Sequence, residues 1–277
     1  MNNDRIQEIL DLMEEARLDY FLISDPQSIA YCTGYYNDPH ERMFVFMVSK
    51  HGNHTLFMND LFYLEHDLDV NIVWHKDGQD AIQTIVDEMH FPGRIGIDKN
   101  WASHFLLDLM KKLPDAKYIN ASPCVDLVRM KKDLQEQVLM IESSKINDAV
   151  MEEIIPFIQE GVTEKQLAKK LDELFFNHHS TCYGAIVAFG KNAADPHHEN
   201  DDTPLRKGDC VLIDMGCVYK GYCSDMTRTF FYEGILEEEI KVYEIVKKAN
   251  EAAEAMIKPG VKLSDIDKCA RKVISDE

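Results

Sequence analysis

The seven cysteines of this 277-residue chain form no C-x-x-C pair. Cys32, Cys124, Cys182, Cys210, Cys217, Cys223 and Cys269 are scattered and odd in number, which excludes a disulfide framework or a zinc ribbon and fits reduced thiols in a cytoplasmic protein. No segment approaches about 18 consecutive apolar residues, so no membrane partner is expected. The opening residues, MNNDRIQEILDLMEEA, alternate in charge where a secretory signal needs an apolar run. Basic residues are few, with 30 Lys and Arg against 49 Asp and Glu for a formal net charge of −19. Acids outnumber bases in both halves, which argues against a nucleic-acid partner. A glycine-rich phosphate loop is missing too: Gly93-Arg94-Ile95-Gly96 lacks the third glycine and precedes a strand instead of following one.

What is present is an ordinary globular composition, 45% hydrophobic, enough core for two modest domains. Residues 1 to 130 alternate helical and strand patterns. A helix over Ile6 to Arg17 leads into DYFLIS, a turn at Asp25-Pro26 and a short helix ending near Gly34. Strands follow over 43–49, 54–58, 71–75 and 94–98, with helices over 79–89 and 103–112, which gives a layered α/β domain. Near Arg129 to Asp133 this gives way to a long helix, Leu134 to about Ile158, and a second domain over 131–277. There the chain echoes itself. A helix ending in Gly161-Val162 is followed by a Thr163/Gln166 capping box and a helix over Glu164 to Phe176. Later a helix over Glu238 to Ile257 ends in Pro259-Gly260-Val261, with Ser264 as the cap of another. Strands follow the first helix pair and none follows the second, so one whole unit and the helices of a second are expected.

Two aspartates carry the chemistry. VLIDMG, Val211 to Gly216, and CSDMTRTFF, Cys223 to Phe231, read as the arms of one β-hairpin. A turn centred on Tyr219 and Lys220 places Asp214 opposite Asp225 on one face. Like charges about 4.5–5.5 Å apart destabilise a hairpin, and neither arm offers a Lys or Arg on that face, since Arg228 lies an odd number of positions from Asp225. A divalent cation would answer the repulsion. Two solvated turn aspartates are the alternative, and a register slip would separate the pair.

The segment GKNAADPHHENDDTPLRKGDCVLIDMGCVYKGYCSDMTRTFFYEG, Gly190 to Gly234, resembles the first metal-ligand hairpin of the pita-bread metallopeptidases, which include methionine aminopeptidase, prolidase (Xaa-Pro dipeptidase) and aminopeptidase P. RLDYFLISDPQSIAYCTGY, Arg17 to Tyr35, is similar to the start of the creatinase-type N-terminal domain of prolidases and aminopeptidase P. The resemblance implies an α/β creatinase-like N-terminal domain followed by an α+β pita-bread catalytic domain. It implies hydrolysis, by a metal-bridged hydroxide, of Xaa-Pro dipeptides or of the bond between an N-terminal residue and proline. Asp214 would chelate one of two divalent ions and Asp225 would bridge both. Manganese suits the carboxylate-rich shell best, with cobalt or zinc as alternatives. His197 matches the family histidine that contacts substrate, with its neighbour His198 as the competing choice for substrate binding; Glu199, Asp201 and Asp202 read as loop solvation. A short proline-containing peptide and a second copy of the chain, in a homodimer, are the implied partners. The family completes its site with a histidine in an H-G-x-G type segment and two glutamates, all beyond the second helix pair. The C-terminal half of the pita-bread domain is therefore expected to be truncated and this chain alone catalytically incomplete. The rival readings are a metal-free creatinase-like hydrolase and a non-catalytic fragment or binding module of the same fold.

Overall fold

The computed structural model describes every residue from Met1 to Glu277 and divides into two compact units, Met1–Lys132 and Asp133–Glu277. In the first unit a six-stranded mixed sheet is formed by β1 (Tyr20–Ile23), β2 (Val45–Ser49), β3 (Thr55–Asn59), β4 (Asn71–His75), β5 (Arg94–Ile97) and β6 (Lys117–Asn120), in the order β4-β3-β2-β1-β5-β6. Helices α1 (Asn3–Glu15), α2 (Pro26–Thr33), α3 (Ala81–Glu88), α4 (Ser103–Lys112) and α5 (Ser122–Met130) complete it. Every residue of β1, β2 and β3 is buried, so these strands read as continuous apolar runs, as a sheet covered on both faces requires. Phe21, Ile23, Phe46 and Val48 pack in one cluster with Ile6, Ile9 and Met13 of α1 and Val125 and Val128 of α5. Their alternates Tyr20, Leu22, Val45 and Met47 pack in another with Ile82 and Ile85 of α3 and Leu109 of α4. The period of two in each strand thus divides one sheet between two cores.

The second unit begins with α6 (Leu134–Ile154), opened by a capping box between Asp133 and Glu136, and continues through a 3-10 turn to α7 (Glu164–Asn177). Thr163 and Gln166 form the capping box expected at the start of α7. Two three-stranded sheets follow. One has the order β12-β9-β8, from β8 (Ile186–Phe189), β9 (Cys210–Met215) and β12 (Met226–Phe231). The other has the order β11-β10-β7, from β7 (Thr181–Cys182), β10 (Cys217–Tyr219) and β11 (Tyr222–Cys223). Val150, Met151 and Ile154 of α6 and Leu167, Leu171 and Phe175 of α7 pack on Val187, Phe189, Val211, Ile213 and Met215. That burial leaves the alternate residues of β9, including Asp214, on the opposite face.

Helices α8 (Glu237–Glu254) and α9 (Leu263–Ser275) pack on each other. Ala249 is the only buried residue of the pair, and Ile240, Val246, Leu263 and Ile274 are exposed. The N-cap of α9 is Lys262, one step before the helix, so Ser264 lies inside the first turn and makes no side-chain cap. No helix is long and apolar enough to cross a membrane.

A candidate metal centre and the loop beside it

The hairpin forms with a different turn from the one expected. Tyr219 pairs with Tyr222 and Val218 with Cys223, so the two turn residues are Lys220 and Gly221. Both have positive φ, 48° and 83°, the backbone of a two-residue type I′ turn, and the glycine supplies its second position without strain. The partner of Asp214 is therefore Thr227 and not Asp225. The pairing moves by two positions, and Asp225 falls just outside β12, where the register carried on from Met215↔Met226 makes it the diagonal neighbour of Asp214. Thr227 donates its hydroxyl to Asp214 Oδ1 at 2.6 Å. Asp214 is half-buried and Asp225 exposed.

Both carboxylates bear on a third side chain. Tyr183 has its phenol pushed up to about 12, by burial first and then by the negative charges of Asp225, Cys223 and Asp214. Its hydroxyl donates to the Ser224 carbonyl at 2.7 Å. No Lys, Arg or His forms an ion pair with either aspartate. Two anionic oxygen donors that share one face without a compensating cation fit a hard divalent ion, which Asp214 and Asp225 would hold between them.

His197 and His198 lie on the loop that follows β8, after a 3-10 turn over Gly190–Ala194. The structure separates their roles. The His197 ring is exposed, and its backbone N–H donates to Asp195 Oδ1 at 3.0 Å. No hydrogen bond or ion pair joins His197 to Asp214 or Asp225. The ring of His198 turns inward instead, with Nε2 at 2.6 Å from Glu164 Oε2. Glu164 is fully buried at the first position of α7, and its carboxylate accepts four donors. Oε1 takes the Phe189 N–H and the Asn192 side-chain amide, each at 2.9 Å. Oε2 takes His198 and the Asp201 N–H at 3.0 Å. Asn200 ties the same loop to β8, accepting from the Val187 N–H and donating to the Ala185 carbonyl, both at 2.7 Å.

Glu164, His198 and Asp201 each bring one ligand atom within 4.8 Å of the others, a spacing that a cation could use. Both Glu164 oxygens and His198 Nε2 are already committed, however. Asp201 Oδ1 accepts the Thr203 N–H at 2.6 Å, and the Thr203 hydroxyl first, then this N–H, hold its carboxyl below the usual range. Asp202 pairs with Lys165 at 2.9 Å. Both aspartate side chains are exposed, as loop solvation implies, and it is the Asp201 backbone N–H that joins Glu164 in anchoring the loop that carries His197. The sequence signal for Glu164 was slight: it stands in a first helical turn, where acidic residues are favoured in any case.

A cavity of about 250 Å³ in the first unit is lined by Asp25, Ser28, Asp98, Lys99, Asp126 and Arg129. Its charges are matched internally, Arg129 with Asp25 at 3.3 Å and Lys99 with Asp126 at 2.6 Å. Asp98 accepts from the Asp25 and Asn100 N–H groups at 2.8 and 2.9 Å. This is a polar junction at the ends of β1 and β5.

The His198 contact makes stability depend on pH. The Glu164 carboxylate, aided by Asp201 and Asp195, raises the imidazole above its ordinary value. A raised histidine contributes stability that is fully present below about pH 6.5 and is lost as pH rises through the higher folded value. Between pH 6 and pH 9 the native protein should therefore lose more thermal stability than His198→Gln does. Parallel melting curves for the two proteins would show that the contact carries no charge.

Residues 138–277 match metallopeptidase family M24, and residues 5–131 match the Creatinase/Prolidase N-terminal domain. The crystal structure of a dipeptidase from Pyrococcus horikoshii OT3 is 33% identical, with a TM-score of 0.88, over 98% of this chain and 78% of that one. A prolidase from Thermococcus sibiricus is 28% identical, with a TM-score of 0.92, over 100% of this chain and 78% of that one. An uncharacterised peptidase of Staphylococcus aureus is 29% identical over 282 residues, 99% of this chain and 79% of that protein. A creatinase-type α/β domain thus precedes a pita-bread domain that carries the aspartate hairpin, and the chain belongs to metallopeptidase family M24.

Proposed function

We propose that this protein is a dinuclear metal-dependent peptidase that hydrolyses Xaa-Pro dipeptides or removes an N-terminal residue preceding proline. The observation that carries the reading is the aspartate hairpin, in which Asp214 and Asp225 share a face with no cation to balance them. The dipeptidase and prolidase relatives support a small peptide as substrate. Divalent ions, when bound, acidify water and polarise the scissile carbonyl; manganese suits these donors, with cobalt or zinc as alternatives. Asp214, braced by Thr227, and Asp225 would hold them. The exposed His197 ring is free to meet the peptide, while His198 holds the loop through Glu164. A cytoplasmic homodimer completes the proposal.

The protein, chelated exhaustively and then given Mn²⁺, Co²⁺ or Zn²⁺, should release proline from Xaa-Pro dipeptides in preference to dipeptides without proline. Turnover that survives chelation, or indifference to proline, would refute the proposal.

A further inference from the structure

The hairpin is broken where its two aspartates meet. The β9–β12 ladder ends at Met215↔Met226 and the β10–β11 ladder starts at Val218↔Cys223. Between them lie Gly216-Cys217 on one arm and Ser224-Asp225 on the other, bridged by the Ser224 N–H on the Cys217 carbonyl at 3.0 Å, and the two ladders enter different sheets. Asp225 is thus outside both strands, and neither ladder fixes its direction.

Two residues from elsewhere grip this break from opposite sides. Tyr183 donates its hydroxyl to the Ser224 carbonyl at 2.7 Å and its N–H to the Gly216 carbonyl at 3.4 Å. Its phenol fills the space beside Gly216 so completely that a Cβ there would collide with the Tyr183 hydroxyl and the Ser224 carbonyl. From the core side, Ser143 of α6 is fully buried, with its Oγ at 2.9 Å from Ser224 Oγ. The Cys217 thiol lies 3.3 Å from the same hydroxyl and donates to the Ser143 carbonyl at 3.7 Å. Drawing the Ser224 side chain into the core obliges its neighbour Asp225 to face outward, the direction in which Asp214 faces.

We propose that Tyr183 and Ser143 are positioning residues of the metal centre, a two-sided clamp on Ser224 that sets Asp225 beside Asp214. The proposal rests on the reading that the two aspartates bind a divalent cation. Without the clamp, Asp225 must be ordered at the moment of binding, and that ordering costs affinity. Neither residue touches the ion in this scheme.

The test is Mn²⁺ titration of the 277-residue protein, with free ion followed by electron paramagnetic resonance, on the native chain and on Tyr183→Phe, Ser143→Ala and Asp214→Asn. Tyr183→Phe keeps the ring and loses only the hydroxyl. It should weaken Mn²⁺ about three- to tenfold, the worth of one hydrogen bond, while the circular dichroism stays native. Ser143→Ala should do the same, and Ser143→Thr, which restores a hydroxyl, should recover part of the loss. Unchanged affinity in Tyr183→Phe and Ser143→Ala, with binding lost in Asp214→Asn, overturns the clamp and leaves the metal reading standing. Binding undiminished in Asp214→Asn overturns both. Should Ser143→Ala fail to fold, Tyr183→Phe decides alone, because its side chain is half exposed and its ring remains.

Discussion

Glu164→Ala is expected to cost the second unit about 3–5 kcal/mol, the range for removing one partner of a buried charged pair. The carboxylate is fully buried and receives Phe189 N–H, Asn192 Nδ2, His198 Nε2 and Asp201 N–H, so alanine strands four donors at once. Glu164→Gln should cost less, about 1–3 kcal/mol: the amide keeps one acceptor oxygen but sets an N–H₂ against donors. The two units allow the effect to be localised. Both tryptophans, Trp74 and Trp101, lie in the first unit, so their fluorescence follows that unit through urea denaturation. Their transition should not move, while amide exchange at Phe189 and Asp201 accelerates. Unaltered protection at these two amides would show that other contacts hold the loop.

Glu164 also marks where the sequence stops being informative. The capping box at Thr163 and Gln166 was legible because both members lie within one turn. The partners of Glu164 lie 25 to 37 positions away, on a loop with no periodicity to betray its path.

The three-layer first unit was legible because β1, β2 and β3 are continuous apolar runs and α4 has a clear helical period. By contrast β6 is four residues with exposed ends, and α5 begins at Ser-Pro without a side-chain cap, so neither announced itself. In the hairpin, alternation fixed the face that Asp214 takes, but Asp225 lies outside the strands, where alternation has nothing to fix. The turn was not legible either: Lys-Gly is a weaker two-residue turn signal than Asn-Gly, and only the positive φ of Lys220 shows that it serves. Ser143 and Tyr183 carried no sequence signal, because their importance comes from contacts with Ser224, 81 and 41 positions away.

Asp214→Asn and Asp225→Asn should each lower Mn²⁺ affinity by about a hundredfold or more, since losing a group that merely orients a ligand already costs about 10–100-fold and each change removes an anionic donor itself. Any metal-dependent turnover should vanish with it. The effect on folding should be small. Direct opposition would have made each neutralisation stabilising by up to about 1 kcal/mol, but Thr227, and not Asp225, faces Asp214. Diagonal neighbours lie about 7–8 Å apart, so the relief shrinks to a few tenths of a kcal/mol. Asp214→Asn keeps an oxygen that can accept the Thr227 hydroxyl. Asp225→Asn keeps the backbone that Tyr183 and Ser143 hold through Ser224. Thermal midpoints should therefore stay near that of the native chain while Mn²⁺ titrations go flat, and the double variant should bind no more weakly than the background of the measurement. Retained Mn²⁺ affinity in either single variant would place the ion elsewhere. The Glu164, His198 and Asp201 cluster would then be the site to test, with His198→Gln as the variant that must abolish binding.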